Sequence, residues 1–403
     1  MKKVKSLQLE DVIFPISKEK FIKNFWGNTF LFQSSNGNKK RFSHLLPWGE
    51  LNRLLAEHRL DDPRLRLSKD GRTISSHEYT NYFPTRRGNS IPRLIPDKLN
   101  KELINGATLI IDAVDELFEP IKRLSQNLEF IFNETIQVNA YLGWGNTTGF
   151  DTHWDDHDVF ILQVFGKKKW YIYGETRKYP LYRDVEIDKI KPQKPIWKKT
   201  INAGDIIYLP RGWWHNAIPC NEPSLHLTFG VTNRTGIDFY NWISEILLKD
   251  EFFRKDIPLL KSKAEQVTYL NQFSEKLNTI VKQISLDEFL NNHNSNSVVR
   301  QRFTLPFSVH KASKLSKNST IVLTISRQIH IKTSGNSLSF VANGNEWIFS
   351  LLTKPFFDLL FKKRECLIEE AIKTCPEIDN ITFDLFIKEL FGTGLIYIDQ
   401  FQN

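Results

Sequence analysis

Residues 135–232 read as a run of short strands with turn residues between them and no helical period. β-Branched and aromatic residues crowd 136–142, 159–164, 168–173, 206–209 and 224–231. Segments 159–164 and 168–173 read as a pair around Phe165-Gly166-Lys167, and the strand at 206–209 ends at Pro210. Strands of this length without intervening helices are expected to close as an antiparallel barrel or double-sheet roll. The 30 Phe and 10 Trp suit the filling of a barrel interior, although any large core would use them as well.

Within this run stands His153-Trp154-Asp155, and further on His215 ends the stretch Leu209-Pro210-Arg211-Gly212-Trp213-Trp214-His215. Residues two apart on a strand point the same way, so His153 and Asp155 can both face a barrel interior. His215 follows the Gly204-Asp205 turn and a strand, giving a second strand end able to approach the first. Two imidazoles and a carboxylate, with no thiolate nearby, are the ligand set of a non-haem Fe(II) oxygenase. Such a set covers one face of the metal and leaves the others for a cosubstrate and dioxygen. Singly, each residue has a plainer role open to it: a loop cap, a turn residue, a buried hydrogen-bonded histidine. The joint pattern is far more specific than its parts. His157 shares the parity of His153 and stays a rival ligand; His226 lies within a strand and reads as a core histidine or one standing behind the ligands.

Around this region the chain is mixed. Phe21, Ile22, Phe25 and Trp26 share a helical face, residues 29–32 look like a short strand, and 48–60 form an amphipathic helix. Residues 61–93 are polar and read largely as loop, 107–111 as a buried strand and 116–132 as a helix. Beyond the barrel, Phe239, Trp242, Ile243, Ile246 and Leu247 make one apolar stripe, and 259–284 carries another. Residues 291–297 read as a polar linker. Strand-like runs follow at 320–326, 328–333 and 337–341, then helices at 347–352, 356–361, 366–374 and 383–391, and a last strand in 392–398. Small helices with a β-tail suggest a winged-helix module.

With 55 Lys and Arg against 46 Asp and Glu, the net charge of +9 is mild for 403 residues. It is compatible with an acidic partner such as RNA or a ribosomal particle, and equally with simple solubility. Cys220, Cys366 and Cys375 are too few for a disulfide framework or zinc cluster and suit a reducing compartment. No apolar region follows the basic start and no run of membrane-spanning length occurs, so neither secretion nor a membrane partner is expected and the location reads as cytoplasmic.

Residues 139–231 resemble the JmjC-type cupin domain, in the branch containing the ribosomal oxygenases. The matching stretches are 150–160, 163–170 (Gln-Val-Phe-Gly-Lys-Lys-Lys-Trp), 204–215 and 224–228; the segment 21–32 and the helices after the barrel are loosely similar as well. The resemblance implies an α+β protein built on a double-stranded β-helix (jelly-roll) barrel. Its layout would be a catalytic domain at 1–236 with core strands 135–232, a helical dimerisation-type region at 237–298, and a winged-helix-like domain at 299–403. It assigns Fe(II) to His153, Asp155 and His215, with 2-oxoglutarate and O2 as cosubstrates. By its offset from the first ligand, Lys168 takes the basic position that grips the far carboxylate of 2-oxoglutarate, with Lys167 and Lys169 on the other face. Asn139 matches an asparagine that lines the family pocket. The implied reaction is hydroxylation of a side chain in a protein or peptide, such as a histidine or arginine of a ribosomal protein, yielding succinate and carbon dioxide. Peptide tailoring, N-methyl-lysine demethylation and a non-catalytic nucleic-acid-binding regulator are the alternatives. A homodimer is expected, and nucleic acid is left open as a partner. Trp213-Trp214 departs from the smaller apolar pair common before the last ligand; the two indoles either alter substrate approach or belong to the core.

Overall fold

The structure is a computed structural model describing residues 7–181, 190–297, 300, 302–310 and 315–399. Two compact units divide the chain between Asn233 and Arg234.

The described residues of the first unit form strands β1 (Leu31–Gln33), β2 (Leu65–Lys69), β3 (Arg72–Ile74), β4 (Thr80–Pro84), β5 (Ser90–Leu94), β6 (Thr108–Ile111), β7 (Ile136–Gly143), β8 (Asp158–Phe165), β9 (Lys167–Glu175), β10 (Trp197–Asn202), β11 (Ile206–Leu209), β12 (Trp213–Pro219) and β13 (Ser224–Val231). Helices α1 (Leu9–Ile13), α2 (Lys18–Asn24), α3 (Trp48–Glu57), α4 (Pro96–Ile104) and α5 (Glu119–Phe132) accompany them. One antiparallel sheet runs β1-β11-β8-β13-β7-β6-β2-β3, a second runs β10-β9-β12, and β4 and β5 pair alone.

Side-chain parity explains the layering. Phe160, Leu162 and Val164 of β8 join Phe229 and Val231 of β13 in a core with Phe21 of α2 and Leu124 and Leu128 of α5. Val159 and Ile161, of opposite parity, pack with Trp170 and Ile172 of β9, Ile201 of β10 and Trp213 of β12. The large sheet therefore carries helices on one face and the small sheet on the other. A strand covered on both faces needs apolar residues at both parities, and β8 is buried at every position except Phe165. The result is a double-sheet antiparallel roll.

Segments 159–164 and 168–173 do not pair with each other as their spacing suggests. β8 lies between β11 and β13, whereas β9 lies between β10 and β12. The chain changes sheets at Gly166, where φ is +66° and a β-carbon would stand 1.9 Å from the Pro223 carbonyl oxygen. Only glycine can turn this corner. Residues 61–93, read as loop, hold four strands. β4 buries only Thr80 of its five residues, so its composition is polar although its ladder is intact. Asp70 and Gly71 take φ of 48° and 75° and join β2 to β3, the two-residue turn that Asp-Gly favours.

The second unit contains α6 (Gly236–Leu247), α7 (Glu251–Arg254), α8 (Lys263–Gln283), α9 (Leu286–Asn296), β14 (Thr320–Leu323), β15 (Lys332–Ser334), β16 (Ser337–Ala342), β17 (Asn345–Ser350), α10 (Lys354–Lys363), β18 (Glu365–Leu367), α11 (Ile368–Thr374), α12 (Asn380–Gly392) and β19 (Ile396–Ile398). Phe340, Phe356, Phe357 and Leu390 anchor its core. Two sequence readings change here. Residues 291–296 belong to α9 rather than a linker, because the Ser285–Glu288 capping box starts a helix and Asn294 is buried, donating to the Gln328 carbonyl. Residues 347–350 are strand rather than helix. Asn343 and Gly344, at φ of 56° and 71°, form the tight turn that folds β17 back on β16, setting Trp347 opposite Phe340.

Candidate functional site

Between the two sheets the apolar packing gives way to a cavity of about 320 Å³. His153 and Asp155 precede β8, and His215 lies on β12. The backbones bring them together before any side chain is considered. The His153 N–H donates to the His215 carbonyl at 3.0 Å and the His215 N–H to the His153 carbonyl at 2.7 Å, forming a bridge outside the named strands. The Gly212 N–H donates to the Asp155 carbonyl at 2.8 Å. Buried Asp158 secures the approach to His215, accepting from the Tyr208 hydroxyl at 2.7 Å and the Arg211 N–H at 2.8 Å.

His215 Nε2 stands 3.6 Å from one Asp155 carboxylate oxygen and His153 Nε2 stands 4.0 Å from the other. One ligating atom from each of the three residues lies within 4.8 Å of the other two. The tautomers follow from the partners. His153 Nδ1 lies 2.7 Å from the Asp151 carbonyl, and His215 Nδ1 lies 2.9 Å from the Trp213 carbonyl. A carbonyl only accepts, so each Nδ1 carries a proton and donates it, which turns Nε2 of each ring toward Asp155. This is a donor set poised for a cation.

Across the cavity Lys168 is 4% exposed, while Lys167 reaches Glu222 at 3.4 Å and Lys169 faces the Tyr171 ring. Among the described residues no carboxylate lies within ion-pair distance of Lys168. Burial pulls its pKa down from 10.5 to about 7, against a small opposing influence from Cys220. Its Nζ lies 3.4 Å from His226 Nδ1. Burial foremost, then the charge of Lys168, drives His226 well below its ordinary pKa, so its neutral ring accepts from the ammonium and orients it.

Aromatic rings hold these groups in place. Tyr141 stacks on His226 at 4.9 Å, and Trp170 lies parallel to His215 at 5.9 Å. Burial, with the charge of Asp155, pushes the Tyr141 phenol up to about 12, so it stays a neutral hydroxyl. Tyr141, Trp170 and Thr228 line the cavity and were missed in the sequence. Each lies two positions from a residue singled out on the same strand (Asn139, Lys168 and His226), so strand parity was a usable signal.

Asn139 is not among the residues lining the cavity. Its Oδ1 accepts from the Ala113 N–H at 3.0 Å and from Gln137 at 3.2 Å. His157 stands apart from the three ligand candidates; it pairs with Asp156 at 3.0 Å and packs against Gly230. Trp213 and Trp214 do not line the cavity either. Trp213 packs near Phe30 in the inter-sheet core, and the Trp214 indole donates to Thr176 at 2.8 Å.

Residues 115–239 match the sequence profile of the JmjC domain. A bifunctional lysine-specific demethylase and histidyl-hydroxylase NO66 of Drosophila melanogaster is 29% identical over 232 residues, covering 55% of this chain and 33% of that protein. The Drosophila yakuba protein of the same name is 25% identical over 265 residues, covering 62% of this chain and 37% of that protein. The chain thus spans about a third of the length of these curated relatives. In three dimensions it matches Escherichia coli ribosomal oxygenase YcfD with a TM-score of 0.62 at 16% identity, covering 95% of this chain and 98% of the other. A structure of YcfD in complex with cobalt and 2-oxoglutarate matches with a TM-score of 0.58 at 16% identity, over 96% of this chain and 99% of that one.

Proposed function

We propose, from the premise that this chain carries a JmjC domain on the fold of the ribosomal oxygenases, that it is an Fe(II)- and 2-oxoglutarate-dependent oxygenase acting on a protein or peptide side chain. The observation that carries this reading is the pairing of two groups in one cavity: two histidines whose Nε2 atoms lie beside Asp155, and a buried lysine with no carboxylate within ion-pair distance among the described residues. His153, Asp155 and His215 would hold Fe(II), leaving the cavity side open. Fe(II) in that position supplies the redox chemistry that converts 2-oxoglutarate to succinate and carbon dioxide while one oxygen atom of O2 enters a substrate C–H bond.

The chain's own residues do the rest. Lys168 pairs with the far carboxylate of 2-oxoglutarate, a dicarboxylate that meets a positive charge at one end of the cavity and the ligand set at the other. That carboxylate restores the protonated amine that burial disfavours. His226 fixes the direction of the ammonium, and the Tyr141 and Trp170 rings keep water from the reacting atoms. A histidine or arginine of a ribosomal protein is the substrate class we favour; the relatives' names speak for histidine and for the ribosome. Lysine demethylation, also in those names, would use the same pocket.

Residues 1–236 would form the catalytic domain, 237–298 a homodimerisation region and 299–403 a winged-helix-like module for substrate capture. The exposed apolar side chains Val267 and Leu270 on α8 support the dimer. Helices α10–α12 with the β16–β17 hairpin support the winged-helix reading. A cytoplasmic location suits the substrate class and the free cysteines; among the described residues no helix is long and apolar enough to cross a membrane.

The test is purified protein incubated with Fe(II), 2-oxoglutarate and ribosomal proteins, read by succinate release and by a one-oxygen mass gain on a peptide. His153→Ala and Asp155→Ala should abolish both, as should stripping the metal, and zinc should not restore them. Persistent succinate in either variant refutes the ligand set; formaldehyde without retained oxygen shifts the reading to demethylation.

A further inference from the structure

The β4–β5 hairpin belongs to neither sheet of the roll and presents a face that the catalytic reading does not use. Its register pairs Tyr82 with Pro92 and Thr80 with Leu94 on the side that buries Thr80 and Pro92. The opposite side pairs Asn81 with Arg93 and Phe83 with Ile91. There Phe83 is 42% exposed, with the Arg93 guanidinium 5.6 Å from its ring. Lys98 joins this side by donating to Asn81 at 2.7 Å. The tip is ordered by its own backbone: the Thr85 N–H donates to the Asn89 carbonyl at 2.7 Å and the Gly88 N–H to the Thr85 carbonyl at 3.0 Å.

Charge is one-sided across this element. From Tyr79 to Pro96 there is no acidic residue, while Arg86, Arg87 and Arg93 fall within the span. Arg86 and Arg87 share a cleft of about 570 Å³ with Arg59, Asn89 and Ser90, and no carboxylate lines it. Among the described residues these four arginines make no ion pair. Clustered guanidinium groups without internal counter-ions attract a polyanion. An exposed aromatic ring among them adds a surface on which a base can stack. A patch that served only solubility would not need an aromatic side chain left half in water.

We propose that the β4–β5 hairpin, with Arg59, is a binding site for single-stranded RNA. The phosphodiester backbone would lie in the Arg59–Arg86–Arg87 cleft and a base would stack on Phe83 beside Arg93. The choice of RNA over DNA rests on the ribosomal substrate class proposed above; the phosphate-and-stacking chemistry does not.

The probe is a short fluorescein-labelled single-stranded RNA of mixed sequence, with DNA of the same sequence as the second arm, followed by anisotropy over a salt series. Three phosphate contacts at about 0.7 each give a log–log salt slope near −2 for the wild-type chain. Arg86→Glu with Arg87→Glu should weaken binding at least about tenfold and shrink the slope by more than about 1. Phe83→Ala should weaken it at least about fivefold with the slope unchanged. Lys261→Glu with Lys263→Glu, an exposed basic pair on the other unit, is the control and should change neither. Metal-dependent binding of 2-oxoglutarate, unchanged in every variant, shows that the proteins are folded and separates this site from the catalytic reading. Hairpin variants that bind like wild type, or a control that loses as much, overturn the site; tighter binding of DNA than of RNA overturns the choice of RNA.

Discussion

Replacing Lys168 by Met should do two opposite things, and their combination is hard to obtain unless the lysine is kept for an anion. The ammonium is buried without a carboxylate partner among the described residues, and its pKa falls from 10.5 to about 7. That fall corresponds to roughly 5 kcal/mol of unfavourable burial, at about 1.36 kcal/mol per pH unit. The unfolded chain binds this proton below about pH 10.5 and the folded chain only below about pH 7. The burden on the fold is therefore full below about 7, shrinks as pH rises through the interval, and vanishes above about 10.5. Methionine has similar length and no charge, so the metal-free variant should be more stable than wild type at a pH of about 6, by up to several kcal/mol, with the gain fading near a pH of about 10. Binding of 2-oxoglutarate should move the other way. Removing one partner of a buried charge pair costs about 2–5 kcal/mol, or on the order of thirtyfold to several thousandfold in Kd. Melting curves of the apo proteins across pH, and calorimetric titration of 2-oxoglutarate into Mn(II)-loaded protein, measure both effects. A variant that melts below wild type at low pH, or binds 2-oxoglutarate within about threefold of wild type, would show that this amine is not the carboxylate anchor.

Two further substitutions probe how the site is held. Gly166→Ala forces a β-carbon against the Pro223 carbonyl at a backbone φ of +66°, so the corner between the sheets must shift; a loss of about 2 kcal/mol or more in urea unfolding is expected, and a near-neutral result would mean the corner is soft. Asp158→Asn leaves one oxygen to serve both the Tyr208 hydroxyl and the Arg211 N–H. It should cost about 1–3 kcal/mol of stability and weaken Mn(II) binding by about tenfold, measured by titration; unchanged metal affinity would show that the segment before His215 does not need this carboxylate.

The ligand candidates were legible because their chemistry is local. The strand parity of Lys168 survives whatever neighbour its strand acquires; His153 and Asp155 precede β8 rather than lying on a strand, and the bridge from His153 to His215 brings them to the same cavity as Lys168. Pairing was not legible for β8 and β9, since adjacency in sequence suggests a hairpin and nothing short of the Gly166–Pro223 approach shows that the chain changes sheets. The strands of 61–93 were hidden by a polar composition that half-exposed hairpins tolerate, although Asp70-Gly71 was a usable turn signal. Asn139 had the right spacing but the wrong surroundings: its carbonyl is taken by Ala113, whose φ of 51° turns its N–H toward it.

The rigidity of the site comes from the same strands that build the inter-sheet core. Val159 and Ile161 of β8 and Trp170 of β9 line the cavity and also belong to the packed cluster between the sheets. Trp213 fills that cluster two residues before His215, and its carbonyl receives the His215 Nδ1 proton. A core residue therefore sets the tautomer of a ligand candidate through its backbone while its side chain fixes the sheet spacing. This accounts for the paired tryptophans as packing residues: the indole of Trp213 lies among Phe30 and its neighbours and that of Trp214 is bonded to Thr176. Under the proposed function, selectivity would arise from groups that do face the cavity, notably Arg66 and Phe150, which stack at 5.8 Å, the Phe150 ring lying beside that of His153 as well. Arg66 is itself tied to Asp112 at 2.9 Å, so a substrate side chain in the proposed reaction would meet a charge whose position is already fixed, and pre-set polar groups of that kind discriminate by what they leave unpaired when the wrong side chain enters.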